Sequence, residues 1–263
     1  MLTLYHYDRS TAAQRVRLLI EEKQLPWKSV VVDTARGDVD QLPENYHQIN
    51  PKGLVPVVEI NGVGIPESNV ILEYLEDAFP ETSFRPDSAE DRARMRLWMR
   101  RIDDGIHVAS RTIGVCIANR FIYLEQGAEK IQKYHANMRD LVRRDNDRIN
   151  IEMGLESPLL PDALKKFRTL FEEMDGRLAD HDWLVGDAYS LADIALVVYL
   201  RRMESFMMAP LWSNMTHLND WYARISSRPA YQKAVVDWGD VTAAKRTEHG
   251  NEAFQAISKL WRE

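Results

Sequence analysis

Residues 50–76, NPKGLVPVVEINGVGIPESNVILEYLE, carry the pattern that decides the fold. Two short strand-like segments, Val55–Ile60 and Val63–Ile65, flank the pair Asn61-Gly62. Asn-Gly between two apolar segments is the strongest short-range signal of a β-hairpin, because both residues tolerate the positive φ of a tight turn. The segment therefore predicts two antiparallel strands, followed directly by a helix.

The same segment has the features of a binding site. Pro56 lies where the first strand begins, and a Val-Pro bond is one of the few peptide bonds that can be cis, although a trans bond at a strand edge also fits the sequence. A cis Val55–Pro56 bond would turn the N–H and C=O of Val55 outward, toward an extended peptide. A helix that starts at Ser68 offers a hydroxyl group and free N–H groups to a carboxylate. Together these features predict a site for a small acidic peptide.

The overall composition is that of an ordinary globular protein. The chain has 263 residues, of which 45% are hydrophobic and 28% charged, and its net charge of −6 argues against a nucleic-acid or anionic-lipid surface. The N-terminus lacks a basic lead with an apolar run, and no apolar stretch approaches the roughly 18 residues of a membrane span. Cys116 is the single cysteine, which excludes an internal disulfide and a CxxC redox pair. We expect a cytoplasmic protein and predict no metal site.

The first 80 residues predict an α/β domain of the thioredoxin-like type. Strands are predicted at Leu2–Tyr5 and Trp27–Val32, with a helix that begins at Ser10-Thr11 between them. Residues 34–46 read as a loop with a short helix, and the helix that starts at Ser68 is predicted to end near Pro80. This order of elements gives a βαβ unit followed by an antiparallel hairpin and a helix.

The rest of the chain predicts an all-α helical-bundle domain. Residues 81–89 have no periodicity and are typical of a linker, so the predicted domains are 1–80 and 90–263. Ser190 and Asp193 predict a capping box at the start of a buried helix, which is a structural role. Apolar residues predict a long helix with one buried face and a second such helix after it, at Met95, Trp98, Ile102, Ile106, Ala109, Ile113 and Ile117, and at Ile131, Tyr134, Met138, Leu141, Val142 and Ile149.

These motifs in combination resemble the cytosolic glutathione transferase family over the whole chain. They are the NPxGxVP hairpin, the Glu-Ser helix start and the SLAD sequence at 190–193. Residues 9–13, Arg-Ser-Thr-Ala-Ala, are most similar to the zeta class, which has Arg-Ser-Ser-Cys-Ser there. Residues 67–81 and 96–114 are instead similar to bacterial glutathione-dependent β-etherases, which cleave lignin-type aryl ethers.

The resemblance implies that glutathione is the cosubstrate. Ser68 and Glu67 would hold the γ-glutamyl end, the backbone of Val55 would pair with the cysteinyl unit, and Gln41 would reach the glycyl carboxylate. Asp103 is a further candidate, because an Asp at this place in the family often reaches the glutathione amine of the partner subunit. The predicted glutathione-binding residues are Gln41, Leu54, Val55, Pro56, Glu67, Ser68 and Asp103.

Ser10 and Thr11 are the candidate catalytic residues. An alcohol cannot act as the base for a thiol, whose pKa is about 8.5, but it can donate a hydrogen bond to the thiolate. At a helix start this bond adds to the helix dipole, which lowers the thiol pKa. One residue of register decides which hydroxyl faces the sulfur, and taken alone the pair is also an ordinary helix N-cap. No cysteine occurs at positions 8 to 13, which argues against thiol-exchange chemistry.

The electrophile pocket is expected between residues 7–9 and the first long helix. Its predicted lining residues are Tyr7, Arg9, Trp98, Ile102, His107 and Arg111. They indicate an aromatic electrophile with a polar group, and cleavage of a β-aryl ether is the most specific interpretation. A zeta-like isomerase, a dehalogenase and a non-catalytic glutathione- or ligand-binding module remain alternatives. The resemblance also implies a homodimer, and Cys116 is predicted to be inert core.

Overall fold

The computed structural model describes residues 1–32 and 46–263. By their contacts these residues form two compact units. The first consists of Met1–Met99, His181–Val198 and Tyr222–Asp240, and the second of Arg100–Asp180, Tyr199–Trp221 and Val241–Glu263. The division into domains 1–80 and 90–263 stays a prediction, since the units follow contacts and not chain order.

The first unit contains the predicted thioredoxin-like sheet. The described residues form a four-stranded mixed sheet in the order β2-β1-β3-β4. β1 pairs in parallel with β2 and antiparallel with β3, and β3 pairs antiparallel with β4. The strands are β1 (Leu2–His6), β2 (Trp27–Val31), β3 (Val57–Ile60) and β4 (Val63–Pro66). The sheet confirms the predicted α/β domain of the thioredoxin-like type, with β1 and β2 parallel and the hairpin strands β3 and β4 antiparallel.

The hairpin has the predicted turn, with one shift at its start. Asn61 and Gly62 have φ values of 53° and 80°, as an Asn-Gly turn requires. The Val55–Pro56 bond is cis, which decides between the two isomers that the sequence left open. The first hairpin strand begins at Val57 and not at the predicted Val55, because the proline has no N–H to donate to a ladder.

Helices make up most of the remaining chain. Those that support the sheet are α1 (Thr11–Glu22), α2 (Tyr46–Ile49) and α3 (Ser68–Ala78). The later helices are α4 (Ala89–Arg101), α5 (His107–Gly114), α6 (Arg120–Glu125), α7 (Ala128–Ala136), α8 (Leu141–Met153), α9 (Leu160–Leu178), α10 (Leu191–Glu204), α11 (Thr216–Ser226), α12 (Pro229–Tyr231) and α13 (Ala243–Arg262). No helix in the described ranges is long and apolar enough to cross a membrane.

The predicted long helix after residue 90 is broken into α4 and α5. A π-helical turn, Ile102–Ile106, separates them, and Gly105 within it has φ 147°. Most residues of the predicted apolar face are buried, but Trp98 is only half-buried. The prediction of a buried apolar face was therefore correct. The prediction of one continuous helix was wrong, because Gly105 adopts backbone angles that interrupt the regular helix.

The second predicted apolar face is also divided. Residues 137–140 separate α7 from α8, and Asp140 caps α8 by accepting a hydrogen bond from the N–H of Arg143 at 3.0 Å. Leu141 and Val142 are 58% and 72% exposed, so their placement on a buried face was wrong. They occupy the first turn of α8, which is a separate helix, so the apolar spacing of α7 does not determine which of its residues are buried.

The capping box predicted at the start of α10 is formed in one direction, with the carboxylate of Asp193 accepting from Ser190. Asp193 is fully buried, and its Oδ2 accepts hydrogen bonds from the N–H and the Oγ–H of Ser190, each at 2.9 Å. Its Oδ1 accepts a third bond from the N–H of Leu184 at 3.0 Å. One carboxylate therefore accepts hydrogen bonds from three buried donors, which agrees with the structural role predicted for Asp193.

Cys116 lies in the core of the second unit, as predicted. Burial raises the pKa of its thiol to about 12, which leaves almost no thiolate at neutral pH. Its Sγ–H donates to Asn150, which also accepts a hydrogen bond of 2.6 Å from Ser157. This thiol is structural.

Candidate active site

Ser10 is placed at the start of α1 by the loop that follows β1. It is the N-cap residue, with φ −71° and ψ 113°, and its Oγ accepts a hydrogen bond of 3.2 Å from the N–H of Ala13. This bond holds the oxygen in place and uses only its acceptor capacity, so the hydroxyl proton can donate a second bond. The N-cap role and a role toward a thiolate are therefore compatible.

Thr11 is the first residue of α1 and is 5% exposed, whereas Ser10 is half-buried. A donor to a ligand must be reachable from solvent before the ligand binds. The geometry therefore favours Ser10 over Thr11, and the assignment between them stays a prediction.

A buried arginine fixes the loop that leads to Ser10. Arg17 donates to the carbonyl oxygens of Tyr7 at 3.3 Å, Asp8 at 2.9 Å and Ala234 at 2.8 Å. Burial lowers the pKa of Arg17 to about 10, which still leaves it charged at neutral pH. The main chain before the helix start is thus tied to a cation in the core of the first unit.

His6 completes this support. Its Nδ1 faces Nη1 of Arg17 at 2.9 Å, and because a guanidinium can only donate, this nitrogen is the acceptor. The proton therefore lies on Nε2, which donates to the Oγ of Ser29 at 2.8 Å. Burial, and secondly the charge of Arg17, lower the pKa of His6 to about 3, so the imidazole is neutral. His6 serves as a structural acceptor.

The start of α3 forms the second part of the candidate site. Ser68 is its first residue and is buried, while Glu67 occupies the N-cap with φ 68° and makes no side-chain cap bond. The first N–H groups of the helix thus lack a side-chain acceptor from the N-cap. Glu67 itself is exposed and pairs with Lys52 across 2.7 Å.

Arg15 lies beside Ser68, and sequence reasoning missed it. This side chain is 3% exposed; its Nη2 donates to the Oγ of Ser68 and its Nη1 to Oδ1 of Asn69 at 2.8 Å. The residue type gives no indication that Arg15 or Arg17 is buried, because arginine is usually a surface residue. An arginine at an apolar position of a predicted helix is the one available signal.

The chain before β3 offers a free peptide edge. The carbonyl oxygen of Leu54 accepts bonds from Tyr46 at 2.6 Å and Asn50 at 2.7 Å, which fixes the approach to the cis bond. Within residues 1–32 and 46–263, no protein group bonds the N–H or C=O of Val55. Pro56, the next residue, is buried. Gln41, the predicted ligand of the glycyl carboxylate, lies outside the described residues.

Two of the predicted electrophile-pocket residues lie together in the loop after β1. Nη2 of Arg9 donates to the hydroxyl of Tyr7 at 3.0 Å, and the guanidinium carbon lies 5.4 Å from the centre of the Tyr7 ring. Nε of Arg9 lies 3.9 Å from Asp240. Trp98 is half-buried in α4. The loop therefore presents a phenol whose oxygen is polarised by a cation.

The other predicted pocket residues belong to the second unit. Ile102 is fully buried, and His107 is exposed with its Nδ1 3.0 Å from the hydroxyl of Tyr199. Arg111 is held by Asp147, at 2.7 Å between Nε and Oδ1, and donates to the hydroxyl of Tyr134 at 2.7 Å. Their role toward an electrophile stays a prediction, and Arg111 has a structural partner in Asp147.

Asp103, the predicted ligand from a partner subunit, is exposed in the π-helical turn Ile102–Ile106. Such turns interrupt regular helices and often occur at functional positions. The role of Asp103 stays a prediction.

Comparison with known proteins supplies the family. The model for the glutathione S-transferase N-terminal domain matches residues 4–83, and the model for the C-terminal domain matches residues 155–229. Protein LigF of Sphingobium sp. strain SYK-6 is 29% identical over 238 residues, which cover 88% of this chain and 92% of LigF. The crystal structure of β-etherase LigF from that strain has a TM-score of 0.78 at 26% identity, covering 89% of this chain and 98% of LigF.

A further relative is the tetrachloro-p-hydroquinone reductive dehalogenase of Sphingobium chlorophenolicum. It is 26% identical over 247 residues, which cover 89% of this chain and 96% of the dehalogenase. The matches extend over nearly the full length of these relatives.

Proposed function

Because the chain belongs to the glutathione S-transferase family, we propose that it directs the thiolate of glutathione against a small aromatic electrophile and cleaves a β-aryl ether. Glutathione is the cosubstrate of this enzyme family. The observation that carries the proposal is the N-cap geometry of Ser10, which leaves a hydroxyl proton at the start of α1.

The proposed reaction is a nucleophilic displacement. The thiol of glutathione loses its proton to solvent, the thiolate sulfur forms a bond to the carbon that bears the ether oxygen, and the carbon–oxygen bond breaks. The aryloxide leaves with the bonding electron pair and takes a proton from water. Ser10 keeps the sulfur ionised by donating a hydrogen bond, and the dipole of α1 acts in the same direction.

The proposed glutathione site consists of two parts of the first unit, the peptide group of Val55 and the start of α3. Val55 offers to the cysteinyl unit its N–H and C=O, to which no group in residues 1–32 or 46–263 is hydrogen-bonded, and the hydrogen bonds to the carbonyl of Leu54 hold the preceding residue in place. The start of α3, with Ser68 and Glu67, takes the γ-glutamyl end. Glu67 must exchange its pairing with Lys52 for the ammonium group of the peptide.

Two observations support an aromatic ether as the substrate: the similarity to LigF, and the pairing of Arg9 with Tyr7 in the loop after β1. In the loop, Arg9 polarises the hydroxyl of Tyr7, and this pair is suited to a phenolic oxygen that gains negative charge. The relatedness to a dehalogenase supports displacement of halide from an aromatic ring as the second candidate. Both candidates use the same thiolate and differ in the leaving group.

A panel of substrates tests this function. Purified protein with glutathione is expected to turn over a model β-aryl ether faster than a chlorinated hydroquinone, a chloro-nitrobenzene or a maleyl isomerase substrate, with the phenol product measured by chromatography. Faster release of chloride would favour the dehalogenase. Binding of glutathione without turnover of any substrate would leave only a binding module.

A homodimer in the cytoplasm is the second part of the proposal. In the first unit, Val63, Val70 and Leu97 are each more than half exposed and are available to an interface. The single cysteine is consistent with a reducing compartment. Light scattering at micromolar concentration is expected to give twice the mass of the 30.5 kDa chain. A mass of one chain would contradict the dimer.

A further inference from the structure

The start of α3 holds a buried cation. Arg15 projects from α1 and is 3% exposed, and its two terminal nitrogens donate to Ser68 and Asn69. Asn69 is oriented in turn, since its Nδ2 donates to the carbonyl oxygen of Met99 at 3.1 Å. The guanidinium is therefore held in one position at the first turn of the helix.

Within the described parts of the chain, Arg15 lacks the anion that a buried charge requires. No carboxylate of residues 1–32 or 46–263 lies within ion-pair distance of it, and its Nε is buried without a hydrogen-bond partner. A buried charge without a counterion is strongly destabilising. The arrangement is that of a site whose anion arrives with a ligand.

Arg15 also determines how Ser68 can bind. A guanidinium has only donors, so the Oγ of Ser68 must be the acceptor in their bond. The proton of Ser68 is then directed away from Arg15 and is available to a ligand. The hydroxyl, the first N–H groups of α3 and the positive charge of Arg15 all favour an anion at the same place.

We infer that Arg15 is a positioning residue for the α-carboxylate of the γ-glutamyl unit of glutathione. It turns Ser68 into a donor and supplies the counter-charge, without taking part in the chemistry at sulfur. The inference rests on the proposed function, because it assigns the γ-glutamyl end of glutathione to the start of α3.

The inference makes a prediction that separates binding from turnover. Arg15→Met should raise the Kd and the KM for glutathione by about 10- to 100-fold, because hydrogen bonds to charged groups are lost. The kcat at saturating glutathione should stay within about threefold of wild type, since the sulfur site is intact. Arg15→Lys keeps the charge but cannot donate to Ser68 and Asn69 at the same time through a planar guanidinium. Its Kd for glutathione should therefore lie between those of wild type and Arg15→Met.

Calorimetry with two peptides tests the inference. Glutathione is compared with 4-aminobutanoyl-cysteinyl-glycine, which keeps the amine and the thiol but lacks the α-carboxylate. Wild type should prefer glutathione, and Arg15→Met should lose most of that preference while its affinity for the analogue changes by less than about threefold. Arg228→Met is the control, because Arg228 pairs with Glu22 at 2.6 Å in the same unit, away from Ser68. Its affinity for glutathione should equal that of wild type.

Four outcomes would overturn the inference. One is an equal loss of affinity for both peptides in Arg15→Met, which would indicate a general structural role. Another is unchanged affinity for glutathione in that variant. If Arg15→Met does not fold, Arg15→Lys gives the same comparison, and an unchanged preference for glutathione would decide against a positioning role. A wild-type protein that does not bind glutathione would overturn the proposed function and this inference with it.

Discussion

Replacing Ser10 with alanine is expected to raise the pKa of the bound glutathione thiol by about 1 to 2 and to lower turnover at neutral pH by about 10- to 100-fold. The thiolate loses a hydrogen bond from a donor that the N–H of Ala13 holds in place. At a pH below the pKa of the thiol in both proteins, the ionised fraction of the thiol falls about tenfold for each rise of 1 in that pKa. Above the pKa of the variant both proteins carry thiolate, so the rate should recover as pH rises.

The measurement is the ultraviolet absorbance of the thiolate against pH, together with the pH profile of kcat/KM. Affinity for glutathione should change little, since Ser10 contacts only the sulfur in the proposed site. Thr11→Val is the matched variant at the neighbouring hydroxyl and should keep the wild-type profile. A shifted profile in Thr11→Val and an unshifted one in Ser10→Ala would assign the role to Thr11.

Loss of the N-cap is a separate effect of Ser10→Ala and needs its own control. An N-cap bond contributes about 1 kcal/mol to stability. Asp140 makes the same kind of bond at the start of α8, where it accepts from the N–H of Arg143 at 3.0 Å. Asp140→Ala should therefore lower the free energy of unfolding by a similar amount without shifting the thiolate titration.

Replacing Asp193 with alanine is expected to reduce the free energy of unfolding by about 3–5 kcal/mol. The carboxylate is fully buried and accepts bonds from the N–H of Leu184 and from both the N–H and the hydroxyl of Ser190. Alanine leaves all three donors in the core without an acceptor. Urea unfolding followed by tryptophan fluorescence measures the loss.

Two comparisons identify the cause of this loss. Asp193→Asn keeps one acceptor oxygen, so it should be destabilised less than Asp193→Ala. Asp140→Ala removes an exposed capping carboxylate and should cost only about 1 kcal/mol. If Asp193→Ala were no more destabilised than Asp140→Ala, the buried capping box would not be a major determinant of stability.

Much of the first unit could be predicted because its signals are local. Asn61-Gly62 specifies a turn through the conformational freedom of two adjacent residues, and the pattern around Ser190 and Asp193 specifies a cap within one helical turn. Helix starts at Thr11 and Ser68 have the same character. The family resemblance implied glutathione from those short motifs.

The predictions that were wrong concern the orientation of helices. Apolar spacing from Met95 onward indicated a buried face correctly, but it contains no information on whether the helix stays continuous through Gly105. Leu141 and Val142 fit the spacing of a buried face and are exposed, because a new helix begins at that point. Periodicity describes one helix at a time.

The sequence by itself determined the order of strands and helices along the first unit, the turn, the two helix starts and, through the family motifs, the cosubstrate. Only the tertiary structure shows which arginines are buried beside the two helix starts. Arg15 meets Ser68 across 53 positions of sequence, and Arg17 meets Ala234 across 217. The free energy of burying an arginine depends on the groups that folding brings next to it. The spacing of residues along the chain contains no information on those groups.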